Sequence, residues 1–220
     1  MKKVLVISPH PDDETLGAGG TLLMHKAKGD EIFWCNVTDK KEEYSFSKQE
    51  VDERKKQLKK VADAYGFSHF YNFELNPSNL SEKDIPLMIE LFKTVFYEVK
   101  PDILYIPFYY DAHSDHRIVF QALQPFFKSF RFDFITKILM MEIISETDNQ
   151  FIETFRPNVF VDITEFFDRK MKILDIYQNE MDKHPFPRSL KGIQSLAAYR
   201  GTQSHFQFAE AFMLLKERIS

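Results

Sequence analysis

The chain has 220 residues, 44% of them hydrophobic, which suits one folded unit with a full core. Its net charge is −4 and its basic residues are scattered, so the electrostatic footprint of a nucleic-acid binder is missing. Cys35 is the only cysteine, which excludes an intrachain disulfide and a thiolate zinc cage, so any metal site must use His, Asp or Glu.

The first apolar run, Val4 to Ile7, is shorter than a signal-peptide core, and no transmembrane segment is expected because no apolar stretch reaches bilayer length. A soluble, cytoplasmic protein is expected, with a single domain over residues 1–220. That same run reads as a fully buried strand emptying into Ser8-Pro9-His10-Pro11-Asp12-Asp13-Glu14. A helix follows over about Thr15 to Lys28, with Gly17, Gly19 and Gly20 in its first turns. The G-x-G-G spacing does not match the dinucleotide fingerprint, which argues against a nicotinamide cofactor.

Glu31 to Thr38 reads as the second strand, followed by a polar loop from Asp39 to Phe46. Ser47 with Glu50 forms a capping-box pattern that opens a helix ending near Gly66, with Val51, Leu58, Val61, Ala62 and Tyr65 on one stripe. Arg54 lies on that stripe, placed either to face the site edge and grip a polar substrate or to snorkel from the stripe's border. Phe67 to Phe73 supplies a third strand, and Ser81 with Asp84 opens a helix that Lys100-Pro101 stops. The fourth strand, Ile103 to Pro107, leads into Asp111-Ala112-His113-Ser114-Asp115-His116 and a helix to about Phe127 that Pro125 should truncate or kink. Strand and helix alternate four times up to this point, which predicts an α/β fold with a parallel sheet covered on both faces.

Further on, Phe134 to Ile144 and Asn158 to Ile163 are apolar runs, and Thr164 is placed to cap a long amphipathic helix to about Met181. His184 to Ser189 must be loop. Leu190 to Tyr199, ended by Gly201, and Phe208 to Lys216 close the chain. The 23 phenylalanines are read as core filling.

Three successive carboxylates repel one another and resist desolvation, so without a cation at least one should protonate or turn away. Acidic residues also favour a helix start, and the first cluster alone is therefore ambiguous. The second cluster shifts the balance. In an open parallel sheet ligands bind beyond the carboxyl ends of the strands, and an order of 3-2-1-4 would make strands one and four neighbours where the order reverses. The two His/Asp clusters would then meet. Spacing places His10 and one of Asp12 or Asp13 with His113 or His116 around a metal, without choosing among them. The leftover carboxylate and imidazole become candidates for general base and general acid beside an activated water. His25, His69, His184 and His205 lack partners at metal-ligand spacing.

Pro9-His10-Pro11-Asp12-Asp13-Glu14, the Gly-rich helix start and His113-Ser114-Asp115-His116 together closely resemble the signature of the PIG-L/LmbE-like family of zinc-dependent N-deacetylases. Arg54, Phe160-Val161-Asp162-Ile163-Thr164 and Ala209-Glu210-Ala211-Phe212 also look like family segments, so the resemblance covers nearly the whole chain. It implies a Rossmann-like three-layer sandwich with strand order 3-2-1-4-5 in the core and hydrolysis of an N-acetyl group on an amino sugar or its conjugate, releasing acetate. By the same resemblance His10, Asp13 and His116 hold the metal and Asp12 is the general base. His113 steadies or protonates the intermediate, Asp115 orients it, and Arg54 contacts the substrate. The implied cofactor is Zn2+, although two histidines and one carboxylate also suit Fe2+.

Two positions depart from the family pattern. Ser78 follows Pro77 where relatives often have an acidic residue, and Thr38-Asp39-Lys40 replaces a Thr-x-Gly start. These allow a substrate other than the simple glucosaminides. A metal-dependent amidase or esterase on a non-sugar substrate, or a catalytically silent sugar-binding protein, would share the same site residues. The expected partner is a small N-acetylated sugar or sugar conjugate, with no nucleic acid, and the sequence leaves room for a homo-oligomer.

Overall fold

The computed structural model describes residues 1–219. Its regular elements are β1 (Lys3–Ser8), α1 (Asp13–Ala27), β2 (Glu31–Thr38), α2 (Lys48–Tyr65), β3 (His69–Leu75), α3 (Ile85–Val99), β4 (Ile103–Ile106) and α4 (Ser114–Leu123). They continue with β5 (Lys137–Met141), β6 (Val159–Asp162), α5 (Phe167–Leu174), α6 (Leu190–Ser204) and β7 (Ala209–Glu217). The strands form one sheet in the order β3-β2-β1-β4-β5-β7-β6. Pairing is parallel from β3 through β5, and β7 runs antiparallel between β5 and β6. The expected α/β class and the 3-2-1-4-5 core order are thus borne out.

Because side chains alternate along a strand, β1 feeds both faces of the sheet. Leu5 and Ile7 pack with Phe92 and Phe96 of α3 and Val119 and Leu123 of α4. Val4 and Val6 pack on the other side with Leu16 and Leu22 of α1, Leu58 and Val61 of α2, Ile173 of α5 and Ile193 of α6. Much of the phenylalanine content fills the first of these layers; the Phe96 and Phe126 rings stack with centroids 4.5 Å apart.

The helix that leaves β1 is locked from below. Glu210 of β7 accepts hydrogen bonds from the Gly20 and Thr21 amides of α1, each at 2.8 Å, and from Lys170 Nζ at 2.8 Å. Lys170 Nζ also donates to the Leu16 carbonyl at 2.9 Å. Lys170 and Glu210 are both buried, so this ion pair satisfies groups that water does not reach.

Local signals account for most boundaries. Ser47 and Glu50 form the expected capping box, and Gly66 closes α2 at φ 67°. At Pro125 α4 gives way to a 3-10 turn over Gln124–Phe127. Two expectations change. The helix expected from Thr164 to Met181 is split into a 3-10 turn at Thr164–Phe166, α5, and a second 3-10 stretch over Asp175–Glu180 broken at Tyr177. Gly201 does not end its helix but lies within α6, where a Cβ would stand 2.6 Å from the Phe206 carbonyl oxygen. Glycine there permits the returning chain to pass against the helix. Among the described residues no helix is long and apolar enough to cross a membrane.

Candidate active site

The site forms beyond the carboxyl ends of β1, β2 and β4, where the strand order reverses. The turn from β1 into α1 separates the three acidic side chains that the sequence runs together. Asp12 adopts φ 118°, a backbone region that favours glycine and costs on the order of 1–3 kcal/mol for other residues. Its carbonyl accepts from Thr15 and Leu16 at 2.9 and 2.8 Å and so opens α1. Glu14 turns away from the cavity. It accepts from Thr15 Oγ1 at 2.6 Å, Tyr177 Oη at 3.1 Å and the Asp12 amide at 3.1 Å, while burial pushes its pKa up to about 7.

Asp13 goes the other way. Asp13 Oδ2, His10 Nδ1 and His116 Nε2 form a triangle with edges of 3.6, 3.3 and 3.3 Å. Ligand atoms about 2.0–2.2 Å from a tetrahedral ion would sit about 3.3–3.6 Å apart, so the triangle already has the size of a three-ligand metal face. The far nitrogen of each imidazole meets a carboxylate: His10 Nε2 lies 3.0 Å from Asp115 Oδ2, and His116 Nδ1 lies 2.8 Å from Asp111 Oδ2. Each carboxylate favours a proton on the nitrogen it touches and directs the other nitrogen's lone pair inward. Two lone pairs and an acidic oxygen converging on one point call for a cation. The protonation balance agrees. Burial opposes charging His10, yet hydrogen bonds to Asp115 and Asp13 outweigh it and push its pKa up to about 9. Burial likewise opposes charge on Asp13, but His116 and His10 hold its carboxyl far below the usual range. These residues therefore fit a divalent ion.

A second grouping, His10, His113 and Asp115, also brings ligand atoms within 4.8 Å of one another. It fits a metal less well. The Asp115 oxygens already accept the Ser78 and Leu80 amides at 2.7 and 3.1 Å.

The remaining expected residues gather around the triangle. His113 Nδ1 accepts the Asp115 amide at 3.1 Å, so a neutral ring carries its proton on Nε2. Burial lowers its pKa, with His10 and His116 adding to the effect. The expected link between the Asp115 carboxylate and His113 is not formed; that carboxylate braces His10 and the loop after β3, and only its backbone amide touches His113. Asp12 Oδ2 accepts from Arg188 Nη1 at 3.1 Å. Burial raises the Asp12 pKa well above its ordinary value, Asp13 raises it further, and Arg188 opposes both. Arg54 is 5% exposed and ion-paired with Glu180 at 2.5 Å, which removes the snorkelling alternative. His10, Asp12, Asp13, His113, Arg54, Glu180 and Arg188 all line one cavity of about 340 Å³.

Sequence reasoning missed the roles of Arg188, Glu180 and Asp111. Arg188 and Glu180 lie in segments read as loop and helix end, far along the chain from Asp12 and Arg54. Asp111 opens the second cluster, so its membership was visible there but its partner was not. His25, expected to lie away from any metal, is bonded to Asp30 and Tyr105.

Residues 5–127 match the PIG-L family, described as GlcNAc-PI de-N-acetylase. Diacetylchitobiose deacetylase of Thermococcus kodakarensis is 24% identical over 96% of this chain and 82% of its own length. The probable N-acetyl-alpha-D-glucosaminyl L-malate deacetylase 2 of Bacillus cereus is 25% identical over 82% of this chain and 84% of its own. Among solved structures, N,N'-diacetylchitobiose deacetylase from Pyrococcus horikoshii superposes with a TM-score of 0.74 at 23% identity, covering 98% of this chain and 84% of that one. The family resemblance carried by the two His/Asp motifs is borne out: the chain belongs to the PIG-L family.

Proposed function

We propose that this chain is a metal-dependent N-deacetylase that hydrolyses the N-acetyl group of an amino sugar or amino-sugar conjugate and releases acetate. The observation that carries this reading is the ligand triangle of His10, Asp13 and His116 with Asp12 and His113 on the wall of the same cavity. Two curated relatives, named as a diacetylchitobiose deacetylase and a probable N-acetyl-alpha-D-glucosaminyl L-malate deacetylase, support the substrate class.

His10, Asp13 and His116 would hold a divalent ion, zinc by this reading, which would supply Lewis acidity and acidify a water toward neutral pH. Asp12 is the base that removes the water's proton as oxygen attacks the acetyl carbonyl. The Arg188 guanidinium favours the carboxylate form of Asp12 that can accept it, against the burial and the neighbouring Asp13 that raise its pKa. His113 presents Nε2–H to the oxyanion that develops on the former carbonyl oxygen, and the proton taken up by Asp12 returns to the departing amine. Asp115 and Asp111 hold the two ligand imidazoles in register, and Arg54, fixed by Glu180, meets the substrate.

The test is acetate release from a panel of N-acetylated sugars, nucleotide sugars and sugar conjugates, with and without chelator. Chelator-sensitive release from a member of the panel supports the proposal. Release only from non-sugar amides or esters would replace the substrate class, and metal binding without any hydrolysis would make the chain a silent binding protein.

A further inference from the structure

The wall of the cavity away from the metal triangle contains Asp39, Lys40, Phe46 and Arg54. Asp39 stands at the end of a directed chain of side-chain hydrogen bonds running across three strands. Trp34 Nε1 donates to Ser8 Oγ at 2.7 Å, and Ser8 Oγ donates to Asn36 Oδ1 at 3.2 Å. Asn36 Nδ2 donates to Asn72 Oδ1 at 2.9 Å, and Asn72 Nδ2 donates to Asp39 Oδ2 at 2.6 Å. An indole, which can only donate, begins this chain and a carboxylate, which can only accept, ends it, so both amides have one consistent orientation.

The far Asp39 oxygen, Oδ1, accepts the Lys40 amide at 2.7 Å. A carboxylate offers about four acceptor positions, so roughly two remain beyond these bonds on a residue that lines the cavity. Neither cation on the same wall hydrogen-bonds Asp39. Arg54 is bound to Glu180, and Lys40 Nζ lies 5.4 Å from the centre of the Phe46 ring. Asp39 follows β2, whereas the metal triangle lies between β1 and β4, one and a half strand spacings or about 7 Å away. A hexosamine with its acetamido group at the triangle would direct ring or aglycone hydroxyls toward that wall.

Resting on the deacetylase reading, we infer that Asp39 is the specificity-determining residue of a polyol subsite, accepting hydrogen bonds from substrate hydroxyls while the Trp34–Ser8–Asn36–Asn72 relay holds it in place. The residue binds substrate and takes no part in proton transfer. Its loss should therefore appear in KM while kcat is nearly kept.

The experiment compares the metal-loaded wild type with Asp39→Asn on N-acetylglucosamine, diacetylchitobiose and their 3-, 4- and 6-deoxy forms. In the wild type, removal of one particular hydroxyl should lower kcat/KM by about 10- to 100-fold, the range of a hydrogen bond to a charged group. Asp39→Asn should lower kcat/KM on the parent sugar by a similar factor through KM, and removing that hydroxyl should then cost nothing more. Asn72→Ala, which keeps the carboxylate but loosens it, should give a smaller loss with the same hydroxyl dependence, and it decides the matter if Asp39→Asn does not fold. Unchanged hydroxyl preference in Asp39→Asn, no loss of kcat/KM in Asn72→Ala, or a wild type indifferent to every hydroxyl, overturns the inference. If the wild type releases no acetate from any sugar, the deacetylase reading fails and glucosamine binding to the metal-loaded chain judges the subsite alone. Binding abolished in Asp39→Asn supports it, and binding that is absent or unaltered overturns it.

Discussion

Asp111 offers a quantitative test of how the metal centre is braced. Its Oδ2 takes His116 Nδ1 at 2.8 Å and its Oδ1 accepts from Thr147 Oγ1 at 2.7 Å, with all of it buried. Asp111→Asn keeps the shape and an acceptor but removes the charge that, on the proposed reading, would strengthen His116 as a ligand. Loss of such a partner weakens metal binding by about 10- to 100-fold. At free metal one hundred times the wild-type Kd, binding stabilises the wild type by about 2.7 kcal/mol, whereas a hundredfold weaker variant gains only about 0.4 kcal/mol. The difference of about 2.3 kcal/mol corresponds to about 5–9 °C in Tm for a chain of this size. The assay is thermal unfolding of both proteins in buffered metal and again in chelator. Comparing the metal-dependent increments cancels whatever the substitution does to the metal-free fold. Equal increments would refute the claim that Asp111 acts through His116.

Asp12→Asn should lower turnover by about 10²- to 10⁴-fold, as expected for loss of a general base, with metal content unchanged by elemental analysis. Arg188→Ala leaves the Asp12 carboxylate without its cation and should reduce kcat/KM by about tenfold or more while metal stoichiometry holds; steady-state kinetics on the best substrate would check this. Lys170→Met strands the Glu210 carboxylate beneath α1 and should destabilise the fold by about 3–5 kcal/mol, read as a lower urea midpoint.

The parts of this architecture visible in the sequence are those with local causes. β1 and β4 are short apolar runs, each followed by a His/Asp cluster, and the rule that sites form where strand order reverses was enough to bring the clusters together. The α2 boundaries followed from Ser47, Glu50 and Gly66, whose effects reach only a few residues. What escaped detection depends on distant partners. The amphipathic pattern from Thr164 to Met181 looks continuous, but the chain departs from it where Tyr177 reaches Glu14 and Glu180 reaches Arg54. Arg188 meets Asp12 across 176 positions of sequence, which no spacing argument can anticipate. Asp115 lies two residues after His113, yet its carboxylate serves His10, because the turn after β1 and the start of α4 face each other across the site. The three adjacent carboxylates were legible as a conflict. Their resolution required three dimensions: Asp13 joins the triangle, Asp12 meets Arg188, and Glu14 turns toward Tyr177.

The most direct test of the central claim is a titration of the metal-stripped chain with zinc while acetate release from an N-acetylated sugar is followed. The account predicts no release without metal, a rate that rises with bound zinc to one ion per chain, and loss of both tight binding and activity in His116→Ala. Acetate release that persists in the stripped protein, or full activity in His116→Ala, would contradict it.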